Sequence, residues 1–346
     1  MGTDFKSVSI VTPTFNSMRT LQLYMEAILS QTYPHERMEI VFADGGSTDG
    51  TIEKIKEYSR TKDIRISLYE NPLKTAEAGK AVGVRHAENE IVCLLDSDNI
   101  IPDEKWMERM MKPFDEAEIV ASEPIAYTYR KEDHVINRYC ALIGMNDPLC
   151  MFTGNYDRYC YITGKWTAVE REEKDCGDYL SVKFKADMIP TIGANGFLMR
   201  AKELKENFEG DYLFDIDVLW ELFLKSPELR VAKVKTGIVH LFCPDTKTFY
   251  RKQNRRIKDF LYFNDAKGRK YPWSKVGKGK IVLFALCCIT ILPLLVQACI
   301  GYGRKHDLQA WAYHFAACWI TLWVYGWGVI GGIFKKEQAS RDGWKQ

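Results

Sequence analysis

The sequence lacks the marks of several common functions. None of its cysteines forms a Cys-x-x-Cys pair and no histidines follow them at zinc-site spacing, which removes the usual structural zinc sites and redox motifs. No G-x-x-x-x-G-K-S/T phosphate loop occurs and no G-x-G-x-x-G follows a strand-like run, so ATPase and dinucleotide readings lose their main support. Excess charge of one sign is missing too: 48 Lys+Arg face 46 Asp+Glu, a net +2 that argues against a dedicated nucleic-acid binder. Met1 to Ser7 carries no basic segment leading into an apolar run, so no signal peptide is expected. The 10 cysteines fall partly in apolar stretches and are read as small hydrophobes in a reduced, cytosolic setting.

What is present is globular. With 46% hydrophobic and 27% charged residues, the 346-residue chain suits one large α/β domain of roughly 250 residues plus an appendage. Charge is unevenly placed. Between Lys247 and Lys280, twelve Lys/Arg stand against Asp259 and Asp265, a basic strip on an otherwise acidic body. Aromatic residues interleave with that strip (Phe249, Tyr250, Phe260 and Tyr262 among Arg251, Arg255 and Lys258), as in a helix lying on anionic lipid.

Two uncharged runs follow, Ile281 to Tyr302 and Ala310 to Phe334, each long enough as a helix to reach across a hydrocarbon core of about 30 Å. Lys and Arg flank the pair more heavily than they fill its connector, so both ends are expected in the cytosol; Pro293 leaves a shallow re-entrant hairpin open. The expected organisation is therefore a large α/β domain over 1–245, a basic juxtamembrane segment over 246–279, two transmembrane helices over 280–334 and a cytosolic tail over 335–346. Truncation after about Gly279 should then leave the first domain free of any need for detergent.

The first hundred residues alternate strand and helix patterns. Ser7 to Thr12 is a β-branched run ending at Pro13, and Leu21, Tyr24, Met25, Ile28 and Leu29 repeat at helical spacing. Strands over Glu39–Ala43, Ile64–Tyr69 and Ile91–Leu95 are separated by helices over Thr51–Tyr58 and Thr75–Ala87. Such alternation predicts a mainly parallel, three-layer, Rossmann-like α/β sheet, whose ligands sit at the carboxyl ends of the strands. The residues there are Thr12-Pro-Thr-Phe-Asn16, Asp44 to Asp49 and Asp96-Ser-Asp98. Two aspartates straight after an apolar strand can hold a divalent cation or simply open the turn before the next helix.

Jointly these clusters, with Gly79-Lys-Ala-Val-Gly83, resemble the family 2 glycosyltransferases, which have the GT-A fold. The resemblance implies that Thr12, Pro13, Thr14 and Asn16 line the nucleotide pocket, that Asp44 accepts from the base, and that Lys80, Asp96 and Ser97 contact the nucleotide-sugar. Asp98 would meet the metal, Mg2+ or Mn2+, on the diphosphate. Further on, Gly193, Asn195 and Gly196 occupy the place of an acceptor-side glycine-rich segment. Asp215 falls by register on the catalytic base, with Phe214 in place of a Glu and Asp217 as a rival. His240 matches a metal-site histidine, and Arg255 and Arg256 partly match a basic diphosphate segment.

The activity implied is inverting, metal-dependent transfer from a nucleotide-sugar, taken as a UDP-sugar, to a lipid-linked or membrane-proximal acceptor. Membrane lipids are the expected partner surface, and nucleic acid is not a partner. The alternatives are a polyprenyl-phosphate sugar synthase, whose acceptor phosphate needs no base, and a membrane-tethered binding protein without activity.

Overall fold

The computed structural model describes residues 5–185, 188–266, 269–272 and 277–334. Ten strands appear among the described residues: β1 (Val8–Thr14), β2 (Met38–Asp44), β3 (Arg65–Glu70), β4 (Ile91–Leu95), β5 (Asn99–Ile100), β6 (Ile119–Tyr127), β7 (Arg171–Asp175), β8 (Tyr179–Phe184), β9 (Asn195–Arg200) and β10 (Arg230–His240). Between and after them run α1 (Met18–Leu29), α2 (Thr51–Thr61), α3 (Ala76–His86), α4 (Trp106–Met111), α5 (Val135–Ile143), α6 (Leu149–Thr153), α7 (Ala201–Glu206), α8 (Asp215–Lys225), α9 (Thr246–Ala266), α10 (Lys278–Thr290), α11 (Leu292–Arg304) and α12 (Leu308–Phe334).

Every residue of β1 and β2 is buried, as their apolar runs require. They pair in parallel with Val8 opposite Met38 and Thr14 opposite Asp44, while Val8 also lies opposite Ile91 of β4. That register brings the polar residues after all three strands to one edge. Helix α1 buries the expected face of Leu21, Tyr24, Met25 and Ile28. Helix α3 packs on β1 through glycines: a Cβ on Gly83 would stand 2.4 Å from Val11 Cγ1, and one on Gly79 2.7 Å from Pro13 Cβ.

The sheet is mixed rather than mainly parallel. Its order is β3-β2-β1-β4-β9-β6-β10-β8-β7, with β5 paired to β10. β3, β2, β1 and β4 pair in parallel; β9 pairs antiparallel with both β4 and β6, and β8 with both β10 and β7. The periodicity that reads clearly in the first hundred residues fades in strands such as β7, whose Arg-Glu-Glu-Lys-Asp sequence is largely exposed at the sheet edge.

The chain divides into two compact units that interleave in sequence. One runs to Ile125 and resumes over Glu170–His240; the other comprises Ala126–Val169 and resumes at Leu241. A boundary at 245 taken in chain order therefore assigns 126–169 differently from the compact units. In the second unit, Tyr139, Leu142 and Ile143 of α5 share one core with Ala298 of α11 and with Trp311 and Ala317 of α12.

Of the two expected transmembrane helices, the first is broken. Among the described residues no single helix is long and apolar enough to cross a membrane. The run expected to be one span is broken at Ile291, whose φ is +61°, and its halves α10 and α11 meet at 91°. Pro293 contributes to the break, since it lacks an N–H for the helical ladder. Helix α12 runs for 27 residues and buries His314 and Thr321. The tail 335–346 and Lys267 and Lys275 of the basic strip lie outside the described residues.

Candidate active site

The loop after β2 is folded by Asp44. Its Oδ1 accepts from the backbone N–H groups of Gly46 (2.9 Å) and Ser47 (2.7 Å), and its Oδ2 from the hydroxyls of Thr14 (2.7 Å) and Ser47 (2.6 Å). A carboxylate offers about four acceptor positions, so the loop itself occupies them all. A nucleobase would have to displace one of these donors. Asn16, at φ +53°, joins this loop to the one after β1 by accepting from Thr48 N–H at 2.9 Å. Thr12 is placed differently from the expectation: its hydroxyl bonds the Tyr24 phenol inside the core. Pro13 lies against α3 at Gly79.

Asp96 ends β4 on the same edge. Its N–H donates to Ala194 O at 3.0 Å, which sets the segment before β9 beside it, and Ser97 Oγ donates to Ser17 Oγ at 3.0 Å. Burial, and then the like charge of Asp98, pushes the Asp96 carboxyl up to about 8, with Lys80 pulling the other way. Asp96 Oδ1 is buried with no hydrogen-bond partner. Asp98 Oδ1 accepts from Asn99 Nδ2 at 3.2 Å and lies 3.6 Å from His240 Nε2. The two-residue strand β5 makes that approach possible by pairing Asn99 with His240.

Helix α3 supplies the cation. Lys80 Nζ donates to Asp215 Oδ2 at 2.6 Å, and both side chains are buried. Burial alone would discharge this lysine, but the Asp215, Glu77 and Asp96 carboxylates outweigh it and hold it above its ordinary value. The chain before α8 is fixed to α3 by Leu213 N–H donating to Glu77 O at 3.0 Å. Asp215 and Asp217 both sit buried in the first turn of α8, about 200° apart round its axis, and Asp215 is the one whose charge acts on Asp96. Beside Asp215 stands the Lys80 cation, while Phe214 stacks on Tyr212.

Of the glycine-rich segment, Asn195 pairs with Leu95 across an irregular register, and Gly193 accepts from Asn195 N–H at 2.8 Å. Gly196, at φ +76°, lies under Trp106, where a Cβ would come within 3.0 Å of the ring. Arg255 and Arg256 belong to the second unit. There Arg256 donates to Asn146 O (3.2 Å) and Gln253 Oε1 (2.9 Å) and lies 3.9 Å from Asp147, so it helps hold that unit together.

Sequence reading missed the Lys80–Asp215 pair, the Ser17–Ser97 link and the Thr12–Tyr24 bond, because each joins residues distant along the chain. The metal expectation can be judged from the donors. Among the described residues no group of three or more His, Cys, Asp or Glu could alone hold an ion. Asp98 and His240 do supply one carboxylate and one imidazole, beside the partnerless oxygen of Asp96. That set fits a divalent cation completed by diphosphate oxygens.

Residues 9–166 match the family described as Glycosyl transferase family 2. Among curated relatives, the glycosyltransferase AglE of Haloferax volcanii is 27% identical over 139 residues, 40% of this chain and 45% of that protein. The Escherichia coli UDP-Glc:alpha-D-GlcNAc-diphosphoundecaprenol beta-1,3-glucosyltransferase WfgD is 33% identical over 94 residues, 27% of this chain and 35% of that one. The matches thus span less than half the length of these relatives. Among solved structures, the mannosyltransferase PcManGT of Pyrobaculum calidifontis, in complex with GDP-Man and Mn2+, is 16% identical, with a TM-score of 0.55 over 97% of this chain and 89% of that one. With the mixed sheet and its strand-end carboxylates, the match identifies residues 9–166 as a family 2 glycosyltransferase domain, in a GT-A-like fold.

Proposed function

We propose that the chain transfers a sugar, with inversion, from a nucleotide-sugar, a UDP-sugar in the first instance, to a lipid-linked acceptor. The observation that carries this reading is the convergence of Asp96, Asp98, Lys80, Asp215 and His240 at the carboxyl edge of β1, β2 and β4. A lone turn-forming aspartate needs none of these neighbours. WfgD, whose name specifies a diphosphoundecaprenol-linked acceptor, supports the acceptor class, and PcManGT, solved with GDP-Man and Mn2+, supports a nucleotide-sugar with a divalent ion.

In this reading the loops holding Thr14, Asn16 and Asp44 take the nucleoside, and Ser97 fixes the turn that carries Asp96 and Asp98. Asp98 and His240 would hold Mg2+ or Mn2+, which supplies charge neutralisation to the departing nucleoside diphosphate. Lys80 orients Asp215 through their 2.6 Å ion pair. Asp215 would take the proton of the acceptor hydroxyl as its oxygen attacks the anomeric carbon and the bond to the diphosphate breaks. Gly193, Asn195 and Gly196 flank the acceptor side.

One observation favours a second reading. If Lys80 stays on Asp215 throughout, that carboxylate cannot accept a proton, and an acceptor already ionised, a polyprenyl phosphate, becomes the better substrate. The test is transfer of radiolabelled sugar from UDP- and GDP-sugars, with Mg2+ or Mn2+, to diphosphate-linked and monophosphate lipid acceptors. Release of the product's sugar by mild acid identifies the monophosphate. Folded protein that neither transfers nor hydrolyses any such donor sinks both readings.

A further inference from the structure

The second unit carries an apolar surface too large for a protein surrounded by water. On α10 and α11, Leu283, Leu286, Ile289, Leu292, Leu295 and Val296 are all exposed, Leu292 to 65%. On α12 the exposed residues Ala312, Ala316, Trp319, Trp323, Trp327 and Ile330 form one stripe at helical spacing, with no charge in it. Soluble monomers rarely expose a contiguous apolar patch of more than a few hundred Å².

We infer that this surface enters one leaflet of an anionic bilayer without crossing it. Three observations commit it to lipid. First, each arm of the bent pair has 13 residues, about 20 Å of helix. Arms of that length meeting at 91° put the apex at Ile291 only about 14 Å below the line joining their ends, about half of a ~30 Å hydrocarbon core. Second, the ends are basic: exposed Lys278 and Lys280 open α10 and exposed Arg304 closes α11, so both ends remain at headgroup level where phosphates lie.

Third, α12 is accompanied by a charged helix. Phe249 packs on Tyr313, Tyr325 Oη donates to Gln253 Oε1 at 3.1 Å, and Ile257 fills the space over Gly328. Between those contacts α9 bears Arg251 and Arg255, with exposed Lys258 next in line. An upright α12 would draw these cations into hydrocarbon at a cost of several kcal/mol each. Lying flat, it presents its tryptophans at the interface, where indole rings are favoured.

The test uses the full chain mixed with preformed phosphatidylcholine vesicles, with or without phosphatidylglycerol, and separated by flotation. The protein should float with the anionic vesicles and much less with the neutral ones. Leu292→Asp and Trp323→Asp, both at exposed positions and checked for native circular dichroism, should each lower partitioning about tenfold or more, the worth of one buried apolar side chain. Leu224→Asp, at an exposed apolar position of the first unit, should leave partitioning unchanged. Epitopes placed after Gly303 and at the C-terminus should both stay open to antibody from the side of addition. Protection of the Gly303 epitope alone would restore a spanning hairpin and overturn the inference. So would failure to float on anionic vesicles, or a discrete dimer in solution that Leu292→Asp dissociates.

Discussion

Lys80 and Asp215, 135 residues apart, form an ion pair of 2.6 Å in which neither side chain is more than 7% exposed. Removing one partner strands the other charge in a low-dielectric site, at a cost of about 3–5 kcal/mol. Lys80→Met should therefore destabilise the fold by that order and Asp215→Asn by less, since the Glu77 and Asp96 carboxylates still act on Lys80. The double variant should recover part of the loss. A urea-unfolding cycle over the four proteins checks this; additive losses would mean that the pair is not closed in solution.

The two acids of α8 should differ in kinetics. Asp215→Asn should lower kcat roughly 10²–10⁴-fold, the usual range for a general base, with little change in donor affinity. Asp217→Asn, on the other side of the helix, should do far less. A reversed order makes Asp217 the base. Should both variants stay active on a phosphate lipid, the acceptor needs no deprotonation.

Asp98→Ala should abolish transfer and weaken binding of Mn2+ with nucleoside diphosphate, followed by calorimetry without turnover. Chelation of the wild type should have the same effect, restored by added Mg2+ or Mn2+. A chelator-resistant Asp98→Ala enzyme would remove the metal from the reading.

Much of the first unit is legible from sequence, because parallel strands buried on both faces must be apolar and their polar ends mark the ligand edge. The strand-end positions of Asp44, Asp96 and Asp98 are read that way. What escaped depends on partners that sequence does not bring together. Thr12 reads as pocket-lining until Tyr24 is placed beside it, and Arg256 reads as a diphosphate ligand until Asp147, Asn146 and Gln253 surround it. The apolar run 281–302 has the length of one span, and only the backbone at Ile291 shows it as two helices.

Gly83→Ala tests the seating of α3 on β1. Its methyl would stand 2.4 Å from Val11 Cγ1, so strand and helix must separate, at a cost of about 1–3 kcal/mol. Because α3 also positions Lys80, the donor KM should rise along with the loss of stability. Val11→Ala in the same chain should restore part of both; loss of stability with an unchanged KM would separate the packing of α3 from the site.

Truncation after Gly279 should fail to give a soluble catalytic domain, against the expectation drawn from chain order. The deletion removes α11 and α12, whose Ala298, Trp311 and Ala317 complete the core formed by Ile136, Tyr139, Leu142 and Ile143 of α5. It also removes Tyr325, which donates to Asp147 and Gln253, and His314, which pairs with the Tyr139 hydroxyl at 2.8 Å. Each large side chain so uncovered loses about 1.5–3 kcal/mol of burial, and only about 5–15 kcal/mol separates most folded domains from unfolding. Size-exclusion chromatography of the truncated chain should show aggregates, whereas Leu292→Asp in the full chain, which alters only the exposed face, should become more soluble. A monodisperse truncated protein that still binds nucleotide-sugar would mean that residues 126–169 keep their fold without the C-terminal helices.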